Sequence, residues 1–243
     1  MAANKIVAVD EWLNARRDLL QQEKTHMKAS DALAAARRRL PWLRIEKSYS
    51  FDTDCGRKEL GELFKGNRQL IVHHLMFAPE WTAACPGCSF QAEHIDGPAR
   101  HLVHHNVTIV AVSRAPLPKI EAYKRRKGWQ FDWVSSLESD FNYDFRVSFT
   151  DEQIGRRQVD YNFGTITTDA RYLDGELPGV SVFFKDADDR IYLTYATFAR
   201  GLDALLGAHH YLDLTAEGRN AAAYPHWPKR HDEYAAGDKP VIR

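Results

Sequence analysis

Gln69-Leu-Ile-Val-His-His-Leu-Met-Phe77 is a run of apolar and β-favouring residues, and Ala78-Pro-Glu-Trp-Thr-Ala-Ala-Cys-Pro-Gly-Cys-Ser-Phe90 follows it directly. The run is short enough to be a buried strand rather than a helix. Pro79 breaks it, and Cys85 begins a segment that reads as helical to about His105. Further along, Val107-Thr-Ile-Val-Ala-Val-Ser113 reads as a second strand. The Pro116-Leu-Pro118 turn then opens a helix through Ile120, Tyr123 and Lys124, which stops at Gly128. Strand, helix, strand, helix in that order predicts a parallel sheet with right-handed crossovers.

The rest of the chain is arranged around this unit. Residues 9 to 40 read as a helix that Asp10 can cap and Pro41 ends. Its Arg16, Arg17, Arg37, Arg38 and Arg39 suit a solvated face or an acidic partner. Residues 41 to 68 are short-strand or loop material, and residues 129 to 176, rich in aromatic, Asp and Gly residues, are expected to form an irregular or short-stranded insertion. Pro178-Gly-Val-Ser-Val-Phe-Phe184 and Arg190-Ile-Tyr-Leu-Thr-Tyr-Ala196 form a predicted hairpin about Lys185-Asp-Ala-Asp-Asp189. A helix from about Leu202 to Leu212 closes the unit. The expected organisation is an N-terminal helical extension and lead-in packed on the core (1–68), an α/β domain with a central mixed sheet flanked by helices (69–215), and a C-terminal tail (216–243).

Composition narrows the function classes. A chain of 243 residues, 44% apolar and 12% aromatic, is globular and near the upper size of a single core. Its 33 basic and 33 acidic residues cancel, which speaks against sequence-blind nucleic-acid binding. No run approaches the roughly eighteen apolar residues that span a bilayer, and the start is too soon acidic for a secretory signal. The expectation is a soluble, cytoplasmic protein with no nucleic-acid or membrane partner. No bound organic cofactor is expected, because neither a glycine-rich dinucleotide loop nor a phosphate loop is present.

Cys85-Pro-Gly-Cys88 after a buried strand and at the start of a helix is the thioredoxin-like redox arrangement. The thiolate is the attacking species, and a helix N-terminus favours it. Cys85 would attack a disulfide, and Cys88, one turn later, would resolve the mixed disulfide. Pro86 suits the first helical position and removes one N–H donor; related sites span roughly −270 to −120 mV, so the motif does not fix the potential. The alternative is a zinc half-site completed by His94 or by His101, His104 and His105, which lacks a second Cys-X-X-Cys. A thioredoxin-like site also needs a proline, usually cis, just ahead of a strand and facing the cysteines, where it keeps a backbone edge free to pair with substrate. Pro178 stands at such a position; an ordinary turn proline is the plainer reading. His73 or His74 could be the buried acceptor of the Cys88 proton.

The stretch from His74 to Phe90 resembles the centre of the bacterial thioredoxin-like family catalogued as domain of unknown function 899, whose members are predicted dithiol–disulfide oxidoreductases. The resemblance continues in Val110-Ala-Val-Ser-Arg-Ala-Pro116, Trp133-Val-Ser-Ser136, Ser139-Asp-Phe-Asn-Tyr-Asp-Phe145, Phe198-Ala-Arg-Gly-Leu-Asp203, Tyr211-Leu-Asp-Leu-Thr215 and the tail from Trp227 to Tyr234. It implies a thioredoxin-like fold and a dithiol–disulfide oxidoreductase activity, and supplies a class rather than a role. The residues themselves make Cys85 and Cys88 the catalytic candidates, with Trp81, Thr82, Pro86, Gly87, Arg114 and Pro178 as substrate-binding or supporting candidates. The partners would be a protein or small-molecule disulfide and a thiol reductant.

Two other readings compete. A peroxiredoxin-like thiol peroxidase would have Thr82 three positions before Cys85, but Pro79 lies six before it, one short of that family's spacing. Arg114 or Arg146 would hold the peroxide. A non-catalytic module would use Trp129, Phe131, Trp133, Phe141, Tyr143 and Phe145 as a groove or oligomer surface, although aromatics packing the insertion onto the sheet are the plainer expectation. A long exposed helix and an aromatic surface would also allow a homodimer. Asp140, Asn142 and Asp144 have calcium-like spacing but lack the Gly and Glu of an EF-hand loop, so no metal is expected there. Cys55 stands alone, and the tail's His231, Asp232 and Glu233 either fold over the active site or pack on the surface.

Overall fold

Eight strands join in one sheet, and the two apolar runs that predict a parallel core lie at its middle. The computed structural model describes residues 4–167, 175–219 and 228–234. The chain divides into two units, Met1–Pro41 and Trp42–Arg243. The first holds a single long helix, α1 (Val9–Arg37), with Asp10 and Glu11 in its first turn and Arg37 in its last. Each charge has the sign that suits the helix end it occupies. Ala8, not Asp10, holds the cap position, and no side chain caps the helix.

The second unit runs β1 (Leu43–Arg44), β2 (Ser50–Thr53), β3 (Gly56–Glu59), β4 (Gln69–His74), α2 (Pro86–Ala92), α3 (Asp96–Leu102), β5 (Val107–Ser113), α4 (Leu117–Lys127) and β6 (Asp132–Ser135). Two short helices, α5 (Phe141–Asp144) and α6 (Asp151–Gly155), precede a hairpin of β7 (Gln158–Tyr161) and β8 (Gly164–Thr167). The chain returns to the sheet with β9 (Gly179–Lys185) and β10 (Ile191–Phe198), and α7 (Gly207–Asp213) follows. Among the described residues no helix is long and apolar enough to cross a membrane.

The sheet order is β1-β10-β9-β4-β5-β6-β2-β3. β4, β5 and β6 are mutually parallel, while β9 lies antiparallel to β4 and β10 to β9. A central strand that feeds the motif-bearing helix, flanked by a parallel neighbour and an antiparallel hairpin, is the thioredoxin-like arrangement within an α/β mixed sheet. Both faces of the centre are covered, which is why β4 and β5 read as continuous apolar runs. Leu70, Val72, Val110, Val112, Val134 and Phe183 pack on one face with Phe51, Phe64 and Phe141. On the other face Leu75, Phe77, Ala111 and Trp133 meet Cys88, Ala92, Ile120 and Tyr123 from the helices. A smaller cluster of Val147, Phe149, Val159, Tyr161 and Phe198 joins the β7–β8 hairpin to the end of β10.

The structure corrects four expectations. The helix expected from Cys85 to about His105 is two helices and a final 3-10 turn, broken at Glu93–Ile95. Pro98 causes the break: it has no N–H to give, and its ring would clash with the carbonyl of His94 in a continuous helix. The segment 129–176 is not simply an insertion, because β6 is the third parallel strand of the core. Trp129, Phe131, Trp133 and Phe141 are all at least 95% buried there. Residues 168–174 lie outside the described residues. The helix expected from Leu202 to Leu212 is a 3-10 helix, Ala199–Leu205, followed by α7, with Leu206 (φ −104°, ψ 81°) out of helical geometry between them. Finally, α1 ends at Arg37 rather than running to Leu40: Pro41 has no N–H to give the Arg37 carbonyl and its ring would clash with it in a continuing helix.

Candidate active site

The site forms where β4 ends. Leu75 N donates to Val112 O at 3.0 Å, carrying the chain off the sheet edge, and Cys85 N donates to Met76 O at 3.0 Å, bringing it back. The loop between is pinned by Lys119, whose Nζ donates to the carbonyls of Pro79 and Trp81 at 2.6 and 2.9 Å. Cys85 then occupies the N-cap of α2 with Pro86 at its first turn, where a missing N–H costs nothing. Ser89 N donates to Cys85 O at 2.8 Å and closes the first helical turn. Cys85 is partly exposed, whereas Cys88 is buried at 3% exposure.

This placement separates the two sulfurs chemically. The Cys88 thiol donates to the Cys85 sulfur, the largest effect lowering the Cys85 thiol, to about 6; the backbone N–H groups of Cys88 and Gly87 and the Arg230 guanidinium add to it, against the opposing push of burial. Cys88 is held well above the ordinary thiol range by the same contact and by burial, despite a backbone hydrogen bond from Met76. One sulfur is a thiolate at neutral pH and the other remains a thiol.

A buried carboxyl acts on the second sulfur through its charge. Glu176 is 1% exposed, accepts from Ser148 Oγ at 2.6 Å and from Arg114 Nη1 at 3.1 Å, and burial pushes its carboxyl up to about 7. Its charge is among those acting on Cys88. The two histidines of β4 do not play this part. His73 and His74 point to opposite faces, bonded to Gln91 Nε2 (3.2 Å) and Ser181 Oγ (2.9 Å) respectively. Burial holds them down to about 4 and about 3, so neither takes a proton at neutral pH.

The tail reaches the same place. Arg230 donates to Ala84 O through Nε at 2.9 Å and Nη2 at 2.6 Å, immediately before Cys85. Asp232 pairs with Arg126 at 2.6 Å and with the fully buried Lys127, both on α4, and His231 Nδ1 lies 2.5 Å from Glu93 at the end of α2. His231, Asp232 and Glu233 are exposed and pack on the ends of α2 and α4, the plainer of the two tail expectations, and Arg230 is the residue that reaches the carbonyl before Cys85. Trp227 lies outside the described residues.

The remaining sequence candidates are distributed as follows. Trp81 packs against the cluster that contains Cys88, Thr82 is exposed in the loop, and Pro86 and Gly87 form the exposed first turn of α2. Arg114 is turned to Glu176 and lies 4.5 Å over the Tyr143 ring. Arg146 is exposed, with Asp160 at 3.8 Å. Pro178 immediately precedes β9, whose Gly179 is in register with His74, so it lies at the sheet end from which the cysteine loop departs. Leu177 N donates to Val147 O (2.8 Å) and Tyr161 Oη donates to Pro178 O (2.6 Å), so the backbone edge expected to be free for substrate is engaged. Cys55 is exposed in the β2–β3 turn, at the far edge strands. His94 Nε2 accepts from Ala208 N at 3.0 Å, and His101, His104 and His105 are exposed. Among the described residues no group of three or more His, Cys, Asp or Glu side chains could hold a metal ion. Asp140 and Asp144 both pair with Lys47, at 2.8 and 2.7 Å.

The sequence reading missed Glu176 and Arg230. The only sequence signal for Glu176 is its place two residues before Pro178, and for Arg230 the charge cluster of the tail.

The family described as "Bacterial protein of unknown function (DUF899)" matches residues 1–234. The chain belongs to this family. It is the family that the quoted segments resemble. No curated protein matches the chain. Solved structures to which it is similar include peroxidoxin BcpB from Mycobacterium tuberculosis, at 15% identity over 67% of this chain and 88% of that one, with a TM-score of 0.44. Another is the bacterioferritin comigratory protein of Xanthomonas campestris, at 13% identity over 65% and 88%, with a TM-score of 0.43. A hypothetical protein of Sinorhizobium meliloti 1021 is similar at 14% identity over 71% and 81%, with a TM-score of 0.40.

Proposed function

We propose that this protein is a thiol–disulfide oxidoreductase. The observation that carries the reading is the asymmetry of the pair: a partly exposed Cys85 held down to about 6, beside a buried Cys88 held above the ordinary thiol range. The Cys85 thiolate attacks one sulfur of a substrate disulfide. The S–S bond breaks, the first substrate thiolate leaves and is protonated, and Cys85 is joined to the second half as a mixed disulfide. Cys88 then loses its proton, for which the buried Glu176 is the proposed acceptor, and attacks the Cys85 sulfur. The second substrate thiol leaves, the protein dithiol is oxidised to the Cys85–Cys88 disulfide, and an external thiol reductant restores it.

The test is disulfide reduction with dithiothreitol, comparing wild type with Cys85→Ser and Cys88→Ser. Cys85→Ser is expected to be inactive, and Cys88→Ser to accumulate one substrate half on Cys85, visible by intact mass. Glu176→Gln should slow the resolving step by about 100-fold, as loss of a positioned base does, and leave the first attack unchanged. Consumption of hydrogen peroxide without disulfide turnover would replace this reading by a thiol peroxidase. Inactivity toward both would leave a binding module.

A further inference from the structure

Backbone groups beside Pro178 and immediately before Cys85 are already bonded to other parts of the chain. On one side Leu177 N donates to Val147 O at 2.8 Å, and Phe149 N donates to Gly175 O at 2.9 Å. Ser148 and Glu176 thereby form an antiparallel bridge, and the Pro178 carbonyl accepts from Tyr161 Oη at 2.6 Å. On the other side the Ala84 carbonyl accepts two donations from Arg230.

These fillings are anchored. Val147 is fully buried and Phe149 is 5% exposed, in the cluster with Val159, Tyr161 and Phe198. Peeling the bridge away would return that apolar surface to water. The tail segment is held by Asp232 on Arg126 and Lys127 and by His231 on Glu93. An extended polypeptide binds by adding its backbone to such an edge, and here both flanks are occupied.

Among the described residues Cys85 is partly exposed, and beside the loop that leads to it lies a cleft of about 640 Å³. Trp81, Arg114, Tyr143, Phe149 and Gly175 are among its walls. We infer that the substrates of this site are low-molecular-weight disulfides, and that the 147–149 bridge and the Arg230 contact close it to extended polypeptide. The inference rests on the disulfide-exchange reading above.

The experiment holds the chemistry constant and changes only the size of the substrate. Wild-type protein with dithiothreitol is given hydroxyethyl disulfide, the disulfide of a single blocked cysteine, and the disulfide of an extended seven-residue peptide with cysteine at its centre. The rate of dithiothreitol alone is subtracted for each. Displacing two or three internal hydrogen bonds is expected to lower kcat/KM for the heptapeptide about tenfold or more relative to the blocked cysteine. Equal turnover, or turnover that rises with peptide length, would overturn the inference and leave disulfide exchange standing. Absence of turnover with all three, in a protein whose Cys85 alkylates normally, would overturn the exchange reading and this inference with it.

Discussion

Cys85 owes its acidity to neighbours of two kinds. The Cys88 thiol and the first N–H groups of α2 are supplied by the motif itself, whereas the Arg230 cation arrives from the tail. Glu176 and Tyr161 are coupled to Cys88 by charge, and Tyr123 bonds Ser89 on α2 at 2.9 Å. Because the Cys85 thiol is depressed to about 6, its alkylation by iodoacetamide should rise through that pH and level off above it. An unperturbed thiol would rise near 8.5. Arg230→Gln removes a positive charge from the thiolate and is expected to move the midpoint up by about 0.5–1 unit. Arg230→Lys should restore most of that shift. An unchanged midpoint with a lowered melting temperature would make Arg230 a structural anchor only.

The start of β9 carries the geometry that shapes the site, and Gly179 is the residue that permits it. A Cβ at Gly179 would stand 2.7 and 2.8 Å from two ring carbons of Phe198 and 3.1 Å from a methyl of Val147. These atoms belong to a packed cluster with no flexible end to yield. Gly179→Ala should therefore cost about 1–3 kcal/mol by overpacking, read as a lower urea midpoint at unchanged m. The element also shows where local patterning stops being informative. The β9–β10 hairpin was legible because Lys185-Asp-Ala-Asp-Asp189 interrupts two β-favouring runs, and Asp186 N does bond Arg190 O across that turn. The two-helix form of 85–105 was not, since a single proline outweighs the favourable residues around it.

The tail is part of the functional molecule through one unusual charge. Lys127 has a fully buried side chain, paired with Asp232 and 5.4 Å from the Tyr123 ring centre. Asp232→Asn would leave that cation buried without its carboxylate. A loss of about 1 kcal/mol is expected, which in a chain of this size lowers the melting temperature by about 2–4 °C. Lys127→Met in the same background should recover it, because the unpaired charge is then gone. A melting temperature that does not move with Asp232→Asn would show that the tail docks through other contacts.

The sequence by itself determined the strand before the motif, the α2 N-cap at Cys85, the parallel step to β5 and the terminal hairpin. Each follows from residues within one element: an apolar run, a Pro at a first helical turn, a turn-forming break. Tertiary structure alone decided which side chains complete the dithiol site. Arg114 and Glu176 lie 62 residues apart in the chain, and Arg230 and Ala84 lie 146 apart. No periodicity or spacing encodes such pairs, because nothing local selects one distant charge over another. The sheet does so, by bringing the end of β4, the approach to β9 and the tail to one place. There burial raises the cost of any polar group left without a partner.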